Sequence, residues 1–218
     1  MLPDLTLVTL KQSATTFAHE LSNTLISDLY GTTDGKAVGT YVEQKFRRYL
    51  EDRFIFIPGN SASGIDLPEL KVDLKATSIS QPQSSCPFKN ASQKVYGLGY
   101  HLMIFVYFKT DDDSTRSAQL DIKHIIFIER EFTADWQTTK GIADILAREG
   151  NSDDLVAFFE ERNLPLDEIG RQALAERVLE NPPNIGYLTI SNALQWRLQY
   201  ARAIQQAGKV IGIEELRV

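Results

Sequence analysis

Apolar residues recur at helical spacing through residues 9–30, at Leu10, Ala14, Phe17, Ala18, Leu21, Leu25, Ile26 and Leu29, and predict an amphipathic helix. Gly31-Thr32-Thr33-Asp34-Gly35 breaks the pattern and offers a start for the next helix. Val38, Val42, Phe46, Tyr49 and Leu50 line one face of that second helix, predicted over 36–52. The spacing then changes to short apolar runs. Residues 54–57 form a compact strand stopped by Pro58-Gly59-Asn60, and after a connector at 61–64 two strands carry Asp66 and Asp73. A polar, irregular stretch at 78–90 leads to a helix over 91–99 and a buried strand over 102–108. A strand over 119–129 pairs with it through the turn at Asp111-Asp112-Asp113. The last third reads as helices over 134–149, 152–162, 167–180 and 189–207, the final two divided by Asn181-Pro182-Pro183-Asn184, with an edge strand at 210–213.

Within this pattern one strand carries chemistry. Successive side chains of a strand point to opposite faces, so Lys71, Asp73, Lys75 and Thr77 share one side and Val72, Leu74 and Ala76 the other. Two carboxylates, Asp66 and Asp73, converging beside a lysine suit a hard divalent cation and a phosphodiester. Two further D-x-K triplets occur by chance. Asp34-Gly35-Lys36 lies in a glycine-containing break, and Asp121-Ile122-Lys123 sits in an apolar run with no single acid upstream.

Asp66 followed by Asp73-Leu74-Lys75 resembles the signature of the PD-(D/E)XK nucleases, the superfamily of most type II restriction endonucleases. The resemblance spans residues 36–109, and the order of elements there, helix, three strands, helix, strand, is also that family's. Ile65 stands where the family has proline, and only seven positions separate the two acids. The acids must therefore sit on adjacent strands joined by a tight turn, which Leu67-Pro68-Glu69-Leu70 can supply. The resemblance implies a restriction-endonuclease-like α/β core, a mixed central sheet flanked by helices, over about 36–130, with a helical C-terminal part over about 131–218 in the same domain. It implies Asp66, Asp73 and the Leu74 carbonyl as Mg²⁺ ligands, with Lys75 orienting water and offsetting transition-state charge. Glu43, on the preceding helix, either reaches the metal as such glutamates do in the family or pairs with Arg47 one turn on. Gln93 and Lys94, on the helix after the catalytic strand, and the loop residues Gln81, Gln83, Ser84, Ser85 and Lys89 are candidates for DNA contact.

Composition bounds these expectations. At 218 residues with 43% hydrophobic and 24% charged residues the chain suits one sizeable core. No apolar run approaches a bilayer span, so no membrane association is expected. The start of the chain lacks a secretory pattern, and the lone Cys86 excludes an internal disulfide; both suit a cytoplasmic setting. The net charge of −6 argues against nucleic acid only until it is mapped. Residues 36–109 hold ten Lys and Arg against six Asp and Glu, a net of +4, which leaves −10 for the remainder. A locally positive segment on an acidic body can bind a phosphate backbone.

The three histidines show no HxxxH or HNH spacing, and no glycine-rich phosphate loop, Ser-His-Asp order or dinucleotide fingerprint occurs. The expected function is Mg²⁺-dependent cleavage of double-stranded DNA by a type II restriction endonuclease, a homodimer matched to palindromic sites. A structure-specific repair or junction-resolving nuclease of the same fold, and a non-catalytic DNA-binding or interaction protein, remain alternatives. Near the C-terminus, residues 167–180 and 189–197 loosely resemble a helix-turn-helix with Asn192, Gln195, Arg197 and Gln199 outward, although Leu188, Leu194, Leu198 and Ala201 would equally form an ordinary core stripe.

Overall fold

The computed structural model describes residues 2–59, 64–86, 89–191 and 196–217, apart from the side chains of Cys86 and Trp196. The chain divides into two compact units, one made of Met1–Gln83, His101–Ile128 and Gln206–Val218, the other of Ser84–Tyr100 and Glu129–Gln205.

The first unit is built on a mixed sheet. Its strands are β1 (Leu25–Ile26), β2 (Val72–Ser78), β4 (His101–Asp112), β5 (Ser117–Ile128) and β8 (Ile213–Glu215), with β3 (Gln83–Cys86) lying elsewhere. The order is β1-β5-β4-β2, and β8 also pairs with β5. β2 runs parallel to β4, with Asp73 opposite Leu102 and Lys75 opposite Ile104, whereas the β4–β5 hairpin is antiparallel. Asp112 closes the hairpin turn by accepting from the Ser114 amide at 2.8 Å and the Thr115 hydroxyl at 3.0 Å.

Helices α1 (Leu7–Ser22) and α2 (Gly35–Glu51) pack on one face of this sheet. Their stripes, Leu10, Ala14, Phe17 and Leu21 on α1 and Val38, Val42, Phe46 and Leu50 on α2, join Leu74, Met103, Phe105 and Phe127 in one core. The rings of Phe17, Phe46 and Phe105 meet with centroids 5.0–5.7 Å apart, in tilted and edge-on arrangements. Burial of this order, about 1.5–3 kcal/mol for each large apolar side chain, fixes α2 against the sheet. Asp34 starts α2 by accepting from the Lys36 amide at 2.9 Å, so the first chance D-x-K triplet is a helix cap.

Two predicted elements differ here. The helix expected over 9–30 stops at Ser22, and the following residues form β1 and a 3₁₀ turn, Ser27–Leu29. β1 is captured by β5, with Leu25 opposite Gln119, and the Ser22 hydroxyl accepts from the Ile122 amide at 3.0 Å. Long-range pairing overrides the local period. The strand expected over 54–57 is reduced to one bridge from Ile55 to Asp4, leaving Ile55 and Ile57 exposed.

The second unit has α3 (Gln93–Tyr96), α4 (Trp136–Leu146), α5 (Ser152–Glu161), α6 (Glu168–Glu180), β6 (Thr189–Ile190), β7 (Trp196–Gln199) and α7 (Ala201–Gln206). Val95, Ile142, Leu155, Phe159, Leu174 and Val178 form its core. Buried Asp135 caps α4, accepting from the Thr138 amide at 2.9 Å, and its other oxygen takes the Ile190 amide at 2.8 Å.

The long helix expected over 189–207 is not formed. Thr189 and Ile190 pair with Gln199 and Leu198 as strands, and of the described residues there only 201–206 are helical. Arg197, Leu198, Gln199 and Tyr200 alternate exposed and buried, the period of a strand and not of a recognition helix. The helix-turn-helix resemblance fails with it, for Arg197 and Gln199 lie on β7, while Asn192 and Gln195 fall outside the described residues. Ser84 on β3 hydrogen-bonds the Tyr200 hydroxyl, so a stretch expected to be irregular is a strand of the three-stranded sheet β3-β7-β6. The helix expected over 91–99 is a single turn, α3.

Candidate active site

β2 is the edge of its sheet, and that edge organises the site. In a strand one residue's N–H and C=O point the same way, so Val72, Leu74 and Ala76 present both groups to the side away from β4. Each of their amides has an acceptor. Val72 donates to the Leu67 carbonyl at 3.1 Å, Leu74 to Asp66 Oδ2 at 2.8 Å, and Ala76 to Glu43 Oε1 at 3.0 Å. The Leu67–Val72 bridge closes a tight turn in which Lys71 adopts φ 52°, and this brings Asp66 alongside β2 in spite of the short gap. Asp66 itself lies in a bend before that bridge and not on a strand. Gly59 seats it from behind. Its amide donates to the Asp66 carbonyl at 2.8 Å, and a Cβ at position 59 would lie 1.9 Å from the Ile65 carbonyl oxygen.

α2 supplies the rest through one ridge of residues four apart, Gly39, Glu43 and Arg47. A Cβ on Gly39 would stand 3.0 Å from the Ala76 carbonyl oxygen, so glycine lets the helix lie close to the edge strand. Glu43 takes the Ala76 amide, and Arg47 forms an ion pair with Asp66 Oδ1. Arg47 is a site residue that sequence reasoning treated only as a possible partner of Glu43. The signal was available in the four-residue spacing Gly39-Glu43-Arg47, but not its target nineteen positions away.

On the other face of the strand Asp73 and Lys75 stand side by side, Lys75 Nζ 2.7 Å from Asp73 Oδ2. Asp73 is buried and its carboxyl is pushed up to about 6, first by burial, against the pull of Lys75, and further by its hydrogen bond with Asp66. Glu43 is pushed up to about 7, again chiefly by burial, with Lys75 opposing and Asp66 and Asp73 adding repulsion. Three carboxyls thus crowd two cations. Among the described residues no group of three or more His, Cys, Asp or Glu forms a ready-made metal cage. The donor set nonetheless fits Mg²⁺, which needs only one or two carboxylates and keeps water and substrate oxygens for its other positions. A divalent ion held by Asp66 and Asp73 would offset the repulsion between them, and the Leu74 carbonyl faces the same edge.

The rival triplet lacks these features. The Asp121 and Lys123 side chains are 39% and 44% exposed against 7% and 20% for Asp73 and Lys75, and Asp121 forms ion pairs with Lys123 and Arg217.

Comparison with known proteins gives the family. The family model of the type II restriction enzyme NspV matches residues 4–215, nearly the whole chain. The chain belongs to that family. It is 63% identical over 185 residues to the type II restriction enzyme NspV of Nostoc sp., covering 85% of this chain and 84% of that enzyme. No solved structure matches it. A mixed α/β core of the restriction-endonuclease type and a sequence-specific DNA endonuclease, as expected from the motif, are therefore the family's fold and activity here.

The remaining residues expected to serve this restriction enzyme fall as follows. Gln81 and Gln83 belong to the first unit, where the buried Thr77 hydroxyl accepts from the Gln83 amide at 3.0 Å and donates to its carbonyl at 3.1 Å. Ser84, Ser85, Lys89, Gln93 and Lys94 belong to the second. Gln81, Ser85 and Lys89 are exposed. Gln93 is buried, its amide accepting from the Lys89 N–H at 3.1 Å and donating to the Leu98 carbonyl at 3.4 Å. Lys94 is buried too, and its ammonium is lowered by desolvation despite nearby Asp135. Among the described residues no helix is long and apolar enough to cross a membrane.

Proposed function

We propose that this restriction enzyme cuts both strands of double-stranded DNA by Mg²⁺-assisted phosphodiester hydrolysis at the site made by Asp66, Asp73, Lys75 and Glu43. The observation that carries the reading is the convergence of Asp66 and Asp73, with Lys75 on Asp73, at a strand edge whose amides hold the acids in place. Asp66, Asp73 and the Leu74 carbonyl would hold the ion, which when bound polarises the scissile phosphate and acidifies a coordinated water. Lys75, paired with Asp73, orients the attacking water and offsets charge on the pentavalent phosphorus. Glu43, with a carboxyl near 7, is tuned to exchange a proton close to neutral pH. Exposed Gln81, Ser85 and Lys89 are proposed to meet bases and phosphates, with Gln83, Ser84, Gln93 and Lys94 shaping the backbone that carries them. A cytoplasmic homodimer acting on a palindromic sequence completes the proposal, since two-fold protein symmetry matches a two-fold site.

Digestion of a plasmid of known sequence with Mg²⁺ tests it. Wild type is expected to give discrete bands with one defined end, and Asp73→Ala or Lys75→Ala to cut at least about 1,000-fold more slowly while still folding and binding DNA. Cleavage at close to the wild-type rate by either variant would overturn the site.

A further inference from the structure

The site holds a second cation besides Lys75. Arg47 turns its guanidinium to Asp66 rather than to Glu43 one turn away on the same ridge. Each carboxylate of the pair is therefore matched with its own cation, Asp73 with Lys75 and Asp66 with Arg47. Asp66 has its two oxygens engaged, one by Arg47 and the other by the Leu74 amide. The Arg47 side chain is 31% exposed, yet its Nε is buried with no hydrogen-bond partner among the described residues. A planar fork with an unused donor is half-satisfied by one carboxylate oxygen, and a phosphate can fill both branches of such a fork.

We propose that Arg47 is a phosphate-binding residue of this active site, parked on Asp66 in the metal-free chain and transferred to the DNA phosphate when a divalent ion takes Asp66. The inference rests on the metal role proposed for Asp66 and Asp73. With a doubly charged ion on Asp66 the guanidinium would face like charge and its pair with Asp66 would loosen. The helix backbone stays where Gly39 and Glu43 dock it to β2, so only the long side chain moves. The released fork then lies in the site where negative charge grows on the phosphate, the place at which a preorganised cation speeds reaction. Lys at this position would keep the charge but lose the bidentate geometry.

Two measurements on wild type, Arg47→Ala and Arg47→Lys test the proposal, with thermal melts confirming that each is folded. In a calorimetric Mg²⁺ titration without DNA, Arg47→Ala is expected to bind the ion at least as tightly as wild type, because a competitor for Asp66 is gone. In single-turnover cleavage at saturating Mg²⁺ and DNA, the rate of Arg47→Ala is expected to fall about 100-fold, and Arg47→Lys to recover no more than about a tenth of the wild-type rate. Undiminished cleavage by Arg47→Ala overturns the proposal. So does a tenfold or greater weakening of Mg²⁺ binding, which would make Arg47 a mere holder of Asp66. Should Arg47→Ala fail to fold, Arg47→Lys decides alone, since full activity in it excludes a bidentate role. If Asp66→Asn leaves wild-type Mg²⁺ uptake unchanged, the metal reading itself fails, whatever the Arg47 variants do.

Discussion

Gly59 and Gly39 set the site by what they lack. An added Cβ at position 59 would stand 1.9 Å from one backbone oxygen and 2.8 Å from the next, at Ile65 and Asp66, so Gly59→Ala must push the Asp66 segment off β2. Loss of both activity and several degrees of melting temperature is expected from that change. Gly39→Ala is subtler. The gain in helix propensity, about 0.5–1 kcal/mol, offsets a 3.0 Å contact with the Ala76 carbonyl oxygen, so the melt should hardly move. The ridge bearing Glu43 and Arg47 shifts by a few tenths of an ångström, and cleavage should drop about tenfold. A melt lowered in proportion to activity would contradict this separation. Asp66, Asp73 and Lys75 were legible because a period of two and a motif coincide within ten residues. Arg47 was not, because the helical i,i+4 rule points to Glu43 and its real partner lies beyond a strand and a turn.

Elements were legible where their own pattern decided them and obscure where a distant partner did. α2, β2, the β4–β5 hairpin, α4 and α5 follow their apolar periods and caps closely, and α6 is marked by its Asp167 cap. β1, β3 and β7 do not, for each is short and exists through pairing with residues far along the chain. The polar run at 83–86 offers no alternating apolar face, whereas exposed Arg197 and Gln199 between buried Leu198 and Tyr200 offered a strand signal that the helical spacing of 189–207 obscured. The Thr77 hydroxyl illustrates how such a segment is tied down. Thr77→Val leaves the Gln83 amide without its acceptor, at a cost of about 1–3 kcal/mol, and hydrogen exchange at Gln83 should quicken while exchange in β4 stays slow. Equal quickening throughout the sheet would show that the bond serves global stability instead.

For the molecule as a whole, the raised carboxyls couple folding to pH and to metal. Glu43 rises from 4.5 to about 7 and Asp73 from 3.8 to about 6, so between those limits the folded chain holds more protons than the unfolded one. Stability from these groups is complete only below about pH 3.8 and is lost as pH climbs from there to about 6 to 7. The metal-free melting temperature should therefore carry a downward contribution over that window, and Glu43→Gln should flatten its upper part. Mg²⁺ held by Asp66 and Asp73 would displace the Asp73 proton, so it should raise the melt more at pH 7.5 than at pH 5.5. An equal rise at both would show that Asp73 does not meet the ion. The free edge of β2 has one more consequence. An unpaired strand edge invites another strand, in folding intermediates and between molecules. Here two acids of the proposed site, Asp66 and Glu43, occupy the amides a stray strand would seek, so catalysis and solubility would depend on the same side chains. Inactive proteins made by deleting Asp66 or Glu43 should aggregate on storage, and Lys75→Met, which leaves the edge guarded, is the better dead enzyme for binding studies.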